Sequence, residues 1–148
     1  MTDTIFSKII KREIPAEIIY EDERTIVIPD KFPSMDGQTL VITKQQMPYI
    51  FELDEATYRA LMDTTQKIAT ALDRAFGALR TCAIIEGFEV PHVHIRLYPC
   101  RTPTLTLSPR REAADEELKT IAEKVRSALT SEDVPGAQAL QCPGACQR

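Results

Sequence analysis

The pattern of apolar and polar positions divides the chain into short stretches of period two and two longer stretches of helical period. The clearest short stretch is Pro91-His92-Val93-His94-Ile95-Arg96-Leu97-Tyr98-Pro99, and its alternation predicts a half-buried strand. On such a strand His92, His94, Arg96 and Tyr98 point to one face, while Val93, Ile95 and Leu97 point to the other. The apolar row would seal a core. The polar row would floor an open site, and two imidazoles beside a guanidinium suit an anionic ligand.

The remaining elements follow in order. Residues 4–12 predict a short helix capped by Thr4 or Asp3, with Ile5, Phe6, Ile9 and Ile10 as its apolar face. Pro15 ends it, because the residue before a proline is driven out of the helical region. Residues 16–20, 25–30, 38–44 and 81–86 predict further strands, and Pro29 marks the second as an end or an edge. Between the third and fourth, Asp54 caps a long helix. Its apolar stripe runs from Tyr58 through Leu61, Ile68 and Leu72 to Phe76, and Gly77 stops it. After the histidine strand, 101–107 suits an extended arm. Ser108-Pro109 predicts a cap with proline at the first helical position, leading into an amphipathic helix through Leu118, Ile121, Ala122, Val125 and Leu129. The acidic run 112–117 suits a solvated helix start against the helix dipole. More strands than helices, joined by short turns, predict an α+β domain with an antiparallel sheet over residues 1–130. Residues 131–148 lack periodicity and predict a poorly ordered tail.

Composition narrows the function. A chain of 148 residues with 43% hydrophobic and 27% charged content has the make-up of one soluble globular domain. A net charge of -4 argues against broad nucleic-acid binding, which needs a basic surface, but leaves room for a local basic site. Neither a secretory signal nor a membrane span is visible, so a cytoplasmic location without membrane attachment is expected. Cys82, Cys100, Cys142 and Cys146 have no framework spacing; Cys82 reads as a buried core thiol and the last pair as incidental. The two histidines also match a metal-ligand pair, with Glu86 or Glu89 as a third ligand.

Four ordered blocks decide among these readings. Residues 3–22 (Asp3-Thr4-Ile5-Phe6-Ser7-Lys8-Ile9-Ile10-Lys11-Arg12-Glu13-Ile14-Pro15 and onward), Ile28-Pro29-Asp30, Gly37-Gln38-Thr39-Leu40-Val41-Ile42-Thr43-Lys44 and Val90-Pro91-His92-Val93-His94-Ile95 together resemble the histidine-triad (HIT) family. The resemblance covers roughly residues 3–100. It implies a five-stranded antiparallel sheet with two main helices, a two-fold homodimer, and a pocket for a purine nucleotide such as AMP. It implies hydrolysis or nucleotidyl transfer on a nucleoside phosphoramidate or phosphoester through a nucleotidyl-histidine intermediate, with no cofactor and no metal. Carried over by position, His94 matches the nucleophile and His92 its support. Asp30 matches the ribose-binding acid, and Ile5, Phe6, Ile9 and Ile28 match the base pocket.

The sequence departs from the family at four places. Arg96 stands for the third histidine, Gln46 for an upstream histidine and Ile85 for an asparagine, and the loop 86–90 is short. The Cys-x-x-Cys of zinc-binding members is Thr4-x-x-Ser7, so no structural zinc is expected. Arg96 can neutralise phosphate but cannot give up a proton. A nucleotide-binding module of the same fold with weak or no catalysis is therefore the second expectation.

Overall fold

The computed structural model describes residues 1–133. Cys142, Cys146 and nearly all of the expected tail lie outside the described residues.

The alternating stretches pair into one five-stranded antiparallel sheet. Its strands are β1 (Tyr20–Glu21), β2 (Thr25–Pro29), β3 (Thr39–Thr43), β4 (Arg80–Ile85) and β5 (His94–Cys100), in the spatial order β1-β2-β3-β5-β4. The register makes the two faces explicit. Val27 lies opposite Val41, which lies opposite Ile95. These residues belong to the apolar core formed with Leu61, Ile68 and Leu72 of α2 (Glu55–Phe76) and Ile121 and Val125 of α3 (Asp115–Ala128). One residue further along, Ile26, Ile42 and His94 align across the same strands, as do Ile28, Leu40 and Arg96. This second face packs against Phe6 and Ile9 of α1 (Ile5–Ile10). Period two thus sends one row of β5 into a helix-covered core and the other toward α1.

Capping matches the residue chemistry. The Thr4 hydroxyl accepts from Ser7 N and the Ser7 hydroxyl answers Thr4 N, closing a capping box on α1. Asp54 caps α2 through Thr57 N, and Gly77 ends that helix at φ 59°, the left-handed conformation that glycine adopts without a Cβ penalty.

Four expectations need correction. The first strand is only Tyr20–Glu21, because of the stretch before it only Ile19 N bonds across, to Val27 O. His92 stands outside β5. Its N–H bonds Val90 O in a tight turn and Val93 N bonds Met47 O, so ladder pairing on β5 begins at His94. No helix begins at Ser108-Pro109. Arg111 N and Ala113 N bond Pro33 O and Lys31 O, which holds this arm extended across the loop after β2 until α3 starts at Asp115. Cys82 is not a core thiol; it is half-buried on the edge strand β4, 3.9 Å from the Cys100 sulfur. Asp115, Glu116 and Glu117 do form the first turn of α3, as the acidic run implies. Among the described residues no helix is long and apolar enough to cross a membrane.

Candidate active site

Ile5, Phe6, Ile9, Ile28, Asp30, His94 and Arg96, all singled out in the sequence, line one cavity of about 280 Å³ together with Lys31, Phe32, Leu40, Glu89, Val90 and Arg110. A second cavity of about 510 Å³ shares Ile5, Ile9, Ile28, Lys31 and Phe32, and continues along Ile14, Pro15 and Leu118. The first cavity is polar where it meets β5, and the second runs between α1 and the start of α3.

His94 is oriented by the backbone. Its Nδ1 lies 2.7 Å from the His92 carbonyl oxygen; a carbonyl only accepts, so Nδ1 carries the hydrogen and Nε2 carries the lone pair. No hydrogen-bond partner of Nε2 is found among the described residues, and no buried side-chain nitrogen or oxygen lacks a partner. Nε2 therefore opens to the cavity that His94 lines. Burial lowers the pKa of this ring below the ordinary 6.5, and the Arg96 charge lowers it further against the bond to His92 O. The ring is a neutral base at pH 7. The edge of the Phe6 ring, 4.9 Å away between centroids, closes its other side.

His92 is placed differently from the open floor expected of it. It is fully buried, and both ring nitrogens are committed. Nε2–H donates to Thr43 O at 2.6 Å, and Nδ1 accepts from the Thr4 hydroxyl at 2.9 Å. Burial is again the main cause that lowers its pKa. His92 thus holds His94 through its carbonyl and takes no place in the cavity.

Behind His92 runs a chain of neutral groups. Thr4 Oγ1 lies 3.1 Å from Ser7 Oγ, Ser7 Oγ donates to Gln46 Oε1 at 2.5 Å, and Gln46 Nε2 donates to Thr2 O. Thr4, Ser7 and Gln46, three residues that differ from the family pattern, therefore meet in one cluster. Two hydroxyls, an amide and an imidazole with both nitrogens engaged do not fit zinc, which takes thiolates, free imidazoles and carboxylates. The alternative metal pair on the histidine strand fares no better. Glu86 and Glu89 pair with Arg96, and no group of three or more His, Cys, Asp or Glu side chains suited to a metal occurs among the described residues.

Asp30 sits at the end of β2, buried at the cavity wall. Oδ1 accepts from Phe32 N at 2.9 Å and Oδ2 from Gln38 Nε2 at 2.6 Å. Gln38 is buried and is itself fixed by Ser34, whose N–H donates to its Oε1 at 2.8 Å. Each carboxylate oxygen keeps one lone pair for a ligand hydroxyl.

Arg110 escaped the sequence reading, and the two glutamates that it offered as alternative metal ligands take another role. Glu86 pairs with Arg96 at 3.1 Å, Glu89 with Arg96 at 3.3 Å, and Arg110 grips Glu89 through both guanidinium ends at 2.7 and 3.1 Å. The short loop delivers both glutamates by turning at Gly87 (φ 95°), where a Cβ would also press on Pro48 O. The loop's charge was visible in the sequence. Arg110 lies fourteen residues beyond Arg96 in a stretch without periodicity, and no local signal marked it. Ile85, which stands for the family's asparagine, lies opposite Ile95 and so faces away from His94.

Comparison with known proteins bears on the family and the fold. A protein of Borreliella burgdorferi described as an uncharacterized HIT-like protein is 31% identical over 106 residues, covering 67% of this chain and 76% of the relative. Among solved structures, a HIT-like protein involved in cell-cycle regulation from Bartonella henselae superposes with a TM-score of 0.80 at 30% identity, covering 86% of this chain and 96% of that one. A hypothetical histidine triad nucleotide-binding protein from Sulfolobus tokodaii gives 0.75 at 26% identity, covering 83% and 89%. The HIT domain pattern matches residues 11–103. That match spans more than half of the chain, and the chain belongs to the HIT family.

Proposed function

We propose that this protein binds a purine nucleotide such as AMP and hydrolyses, or transfers the nucleotidyl group from, a nucleoside phosphoramidate or phosphoester. The observation that carries the proposal is the orientation of His94: Nδ1–H bonded to His92 O, with the Nε2 lone pair opening to a cavity shared with Arg96 and Asp30. The base enters the apolar end near Ile5, Ile9 and Ile28, the ribose hydroxyls meet Asp30, and the phosphate lies against Arg96. His94 Nε2 attacks phosphorus, and the N–P bond forms as the bond to the leaving group breaks. The ring keeps its Nδ1 hydrogen, and the positive charge it gains is stabilised by the His92 carbonyl. Arg96 neutralises the phosphoryl oxygens. It has no proton to give at working pH, so the leaving group takes its proton from solvent. Water then cleaves the N–P bond and releases the nucleoside monophosphate.

The test is AMP release from adenosine 5′-phosphoramidate by wild type and His94→Ala, with and without chelator. Release that requires His94 and ignores chelator is expected. AMP binding without release by wild type would favour the second reading, a nucleotide-binding module, which Arg96 in place of the family's third histidine supports, since a guanidinium gives up no proton. Loss of release on chelation would sink the metal-free mechanism.

A homodimer is part of the proposal. The edge strand β4 exposes Ile85 at 42%, and Thr81 on the same strand bonds Asp73 of α2. Four residues of strand span about 13 Å, or about nine residues of helix. Ile85 therefore lies alongside the turn of α2 that exposes Met62 and Tyr58. An unpaired strand edge beside an apolar helix face is a surface that a second copy can cover.

A further inference from the structure

We propose that Arg110 and Arg96 form a two-guanidinium clamp for the anionic phosphate of the ligand, and that Glu89 occupies the clamp until the ligand displaces it. The inference rests on the nucleotide reading above and extends it to a residue and a regulatory contact outside the histidine strand.

Arg110 belongs to the arm between β5 and α3, and the fold fixes its position. Arg111 N bonds Pro33 O, Ala113 N bonds Lys31 O, and the Ser34 hydroxyl bonds Thr106 O, so the arm lies over the loop that follows Asp30. From there Arg110 reaches the cavity wall on which His94 and Arg96 also lie. Its two terminal nitrogens hold the Glu89 carboxylate at 2.7 and 3.1 Å, and Arg96 Nη2 reaches the same carboxylate at 3.3 Å. Two guanidiniums converging on one pair of anionic oxygens is the geometry in which arginine recognises phosphate.

The two glutamates differ in a way that separates anchor from occupant. Glu86 holds Arg96 from the strand end at 3.1 Å, with its side chain 27% exposed. Glu89 is 54% exposed, on a loop that turns at Gly87, and its partner Arg110 is 39% exposed. An ion pair this exposed is screened by solvent and contributes little to stability, so a ligand can replace it at small cost. A phosphate carries more charge than a carboxylate and offers a third oxygen. Once it takes the clamp, Glu89 swings to solvent, and Arg96 retains Glu86 as its orienting partner. Without ligand, Glu89 keeps the two cations from binding stray anions weakly. The clamp thereby favours ligands with a doubly charged or multiple phosphate group over neutral nucleosides.

The experiment compares binding of AMP, adenosine and inorganic pyrophosphate to wild type, Arg110→Ala and Glu89→Gln by calorimetry, with thermal unfolding recorded for each protein. Arg110→Ala is expected to weaken AMP and pyrophosphate about ten-fold, the scale of a lost charge-assisted hydrogen bond, and to leave adenosine unchanged. Glu89→Gln is expected to tighten AMP and pyrophosphate about three-fold or more, since the competing carboxylate is gone. The opposite signs are diagnostic. If Glu89–Arg110 were only a strap for the arm, both variants would shift AMP and adenosine in the same direction along with the melting temperature; that result overturns the proposal. So does an unchanged AMP-to-adenosine affinity ratio in Arg110→Ala. Failure of both AMP and adenosine to bind wild type would defeat the nucleotide reading by itself, and the pyrophosphate titrations would still decide the clamp.

Discussion

Replacing Thr4 by valine should destabilise the protein by about 2–4 kcal/mol, far more than exchanging a hydroxyl for a methyl near the N-terminus suggests. The Thr4 hydroxyl accepts from Ser7 N at 3.1 Å and donates to His92 Nδ1 at 2.9 Å, at a buried position. Loss of a threonine cap costs about 1 kcal/mol. The larger part comes from His92. Its ring is fully buried, its Nε2–H is spent on Thr43 O, and its Nδ1 would be left without a donor. An unsatisfied buried acceptor costs about 1–3 kcal/mol. Valine has the same shape, so cavity formation adds little to the sum. Against a total stability of about 5–15 kcal/mol, the change is readily measured by guanidinium unfolding at pH 7.5 followed by circular dichroism. Thr4→Ser keeps both bonds and should remain within about 1 kcal/mol of wild type. The reasoning is refuted if Thr4→Val lies within about 0.5 kcal/mol of wild type, or if Thr4→Ser loses as much as Thr4→Val.

Other expectations follow from the same contacts. His92 and His94 both have pKa values lowered by burial from 6.5, so the unfolded chain binds these protons more readily than the native state. Their contribution is complete above about pH 6.5 and is lost as pH falls through the lowered native values; unfolding free energy measured against pH should decline in that window, and His92→Gln should flatten the decline. Asp30→Ala should weaken AMP about ten-fold while leaving pyrophosphate unaffected, the loss of a carboxylate hydrogen bond to ribose, and unchanged AMP affinity would remove Asp30 from the ribose site. Ile85→Lys places a charge on the β4 edge; light scattering should show wild type at twice 16.7 kDa and the variant at that mass, and a wild-type monomer at micromolar concentration would count against the two-fold assembly.

How much of this was legible in the sequence depends on the range of the interaction. The elements with local causes were readable. Asp54 and Gly77 bound α2 at its two ends, and the alternation around Ile95 and Leu97 fixed which row of β5 enters the helix-covered core. Ile5, Phe6, Ile9, Ile28, Asp30, His94 and Arg96 line one cavity: strand register carries the residues of β2 and β5 to one face, and α1 packs over it. Period two also implied that His92 would share the open floor, and there it failed. The bond from His92 N to Val90 O and the pairing of Val93 with Met47 take His92 off the ladder and into the interior.

The amino-acid sequence by itself determined the α+β domain, the two faces of β5 and the chemistry of its polar row, since these depend on periodicity and on residues near one another along the chain. Tertiary structure alone decided the partners. Thr4 reaches His92 across 88 positions, and Gln46 joins Ser7 across 39. Arg110 meets Glu89 across 21. Such pairs carry no period and no spacing rule. Each exists because the sheet and its helices first bury enough apolar surface to fix the backbone, and only a fixed backbone gives distant polar groups a common address.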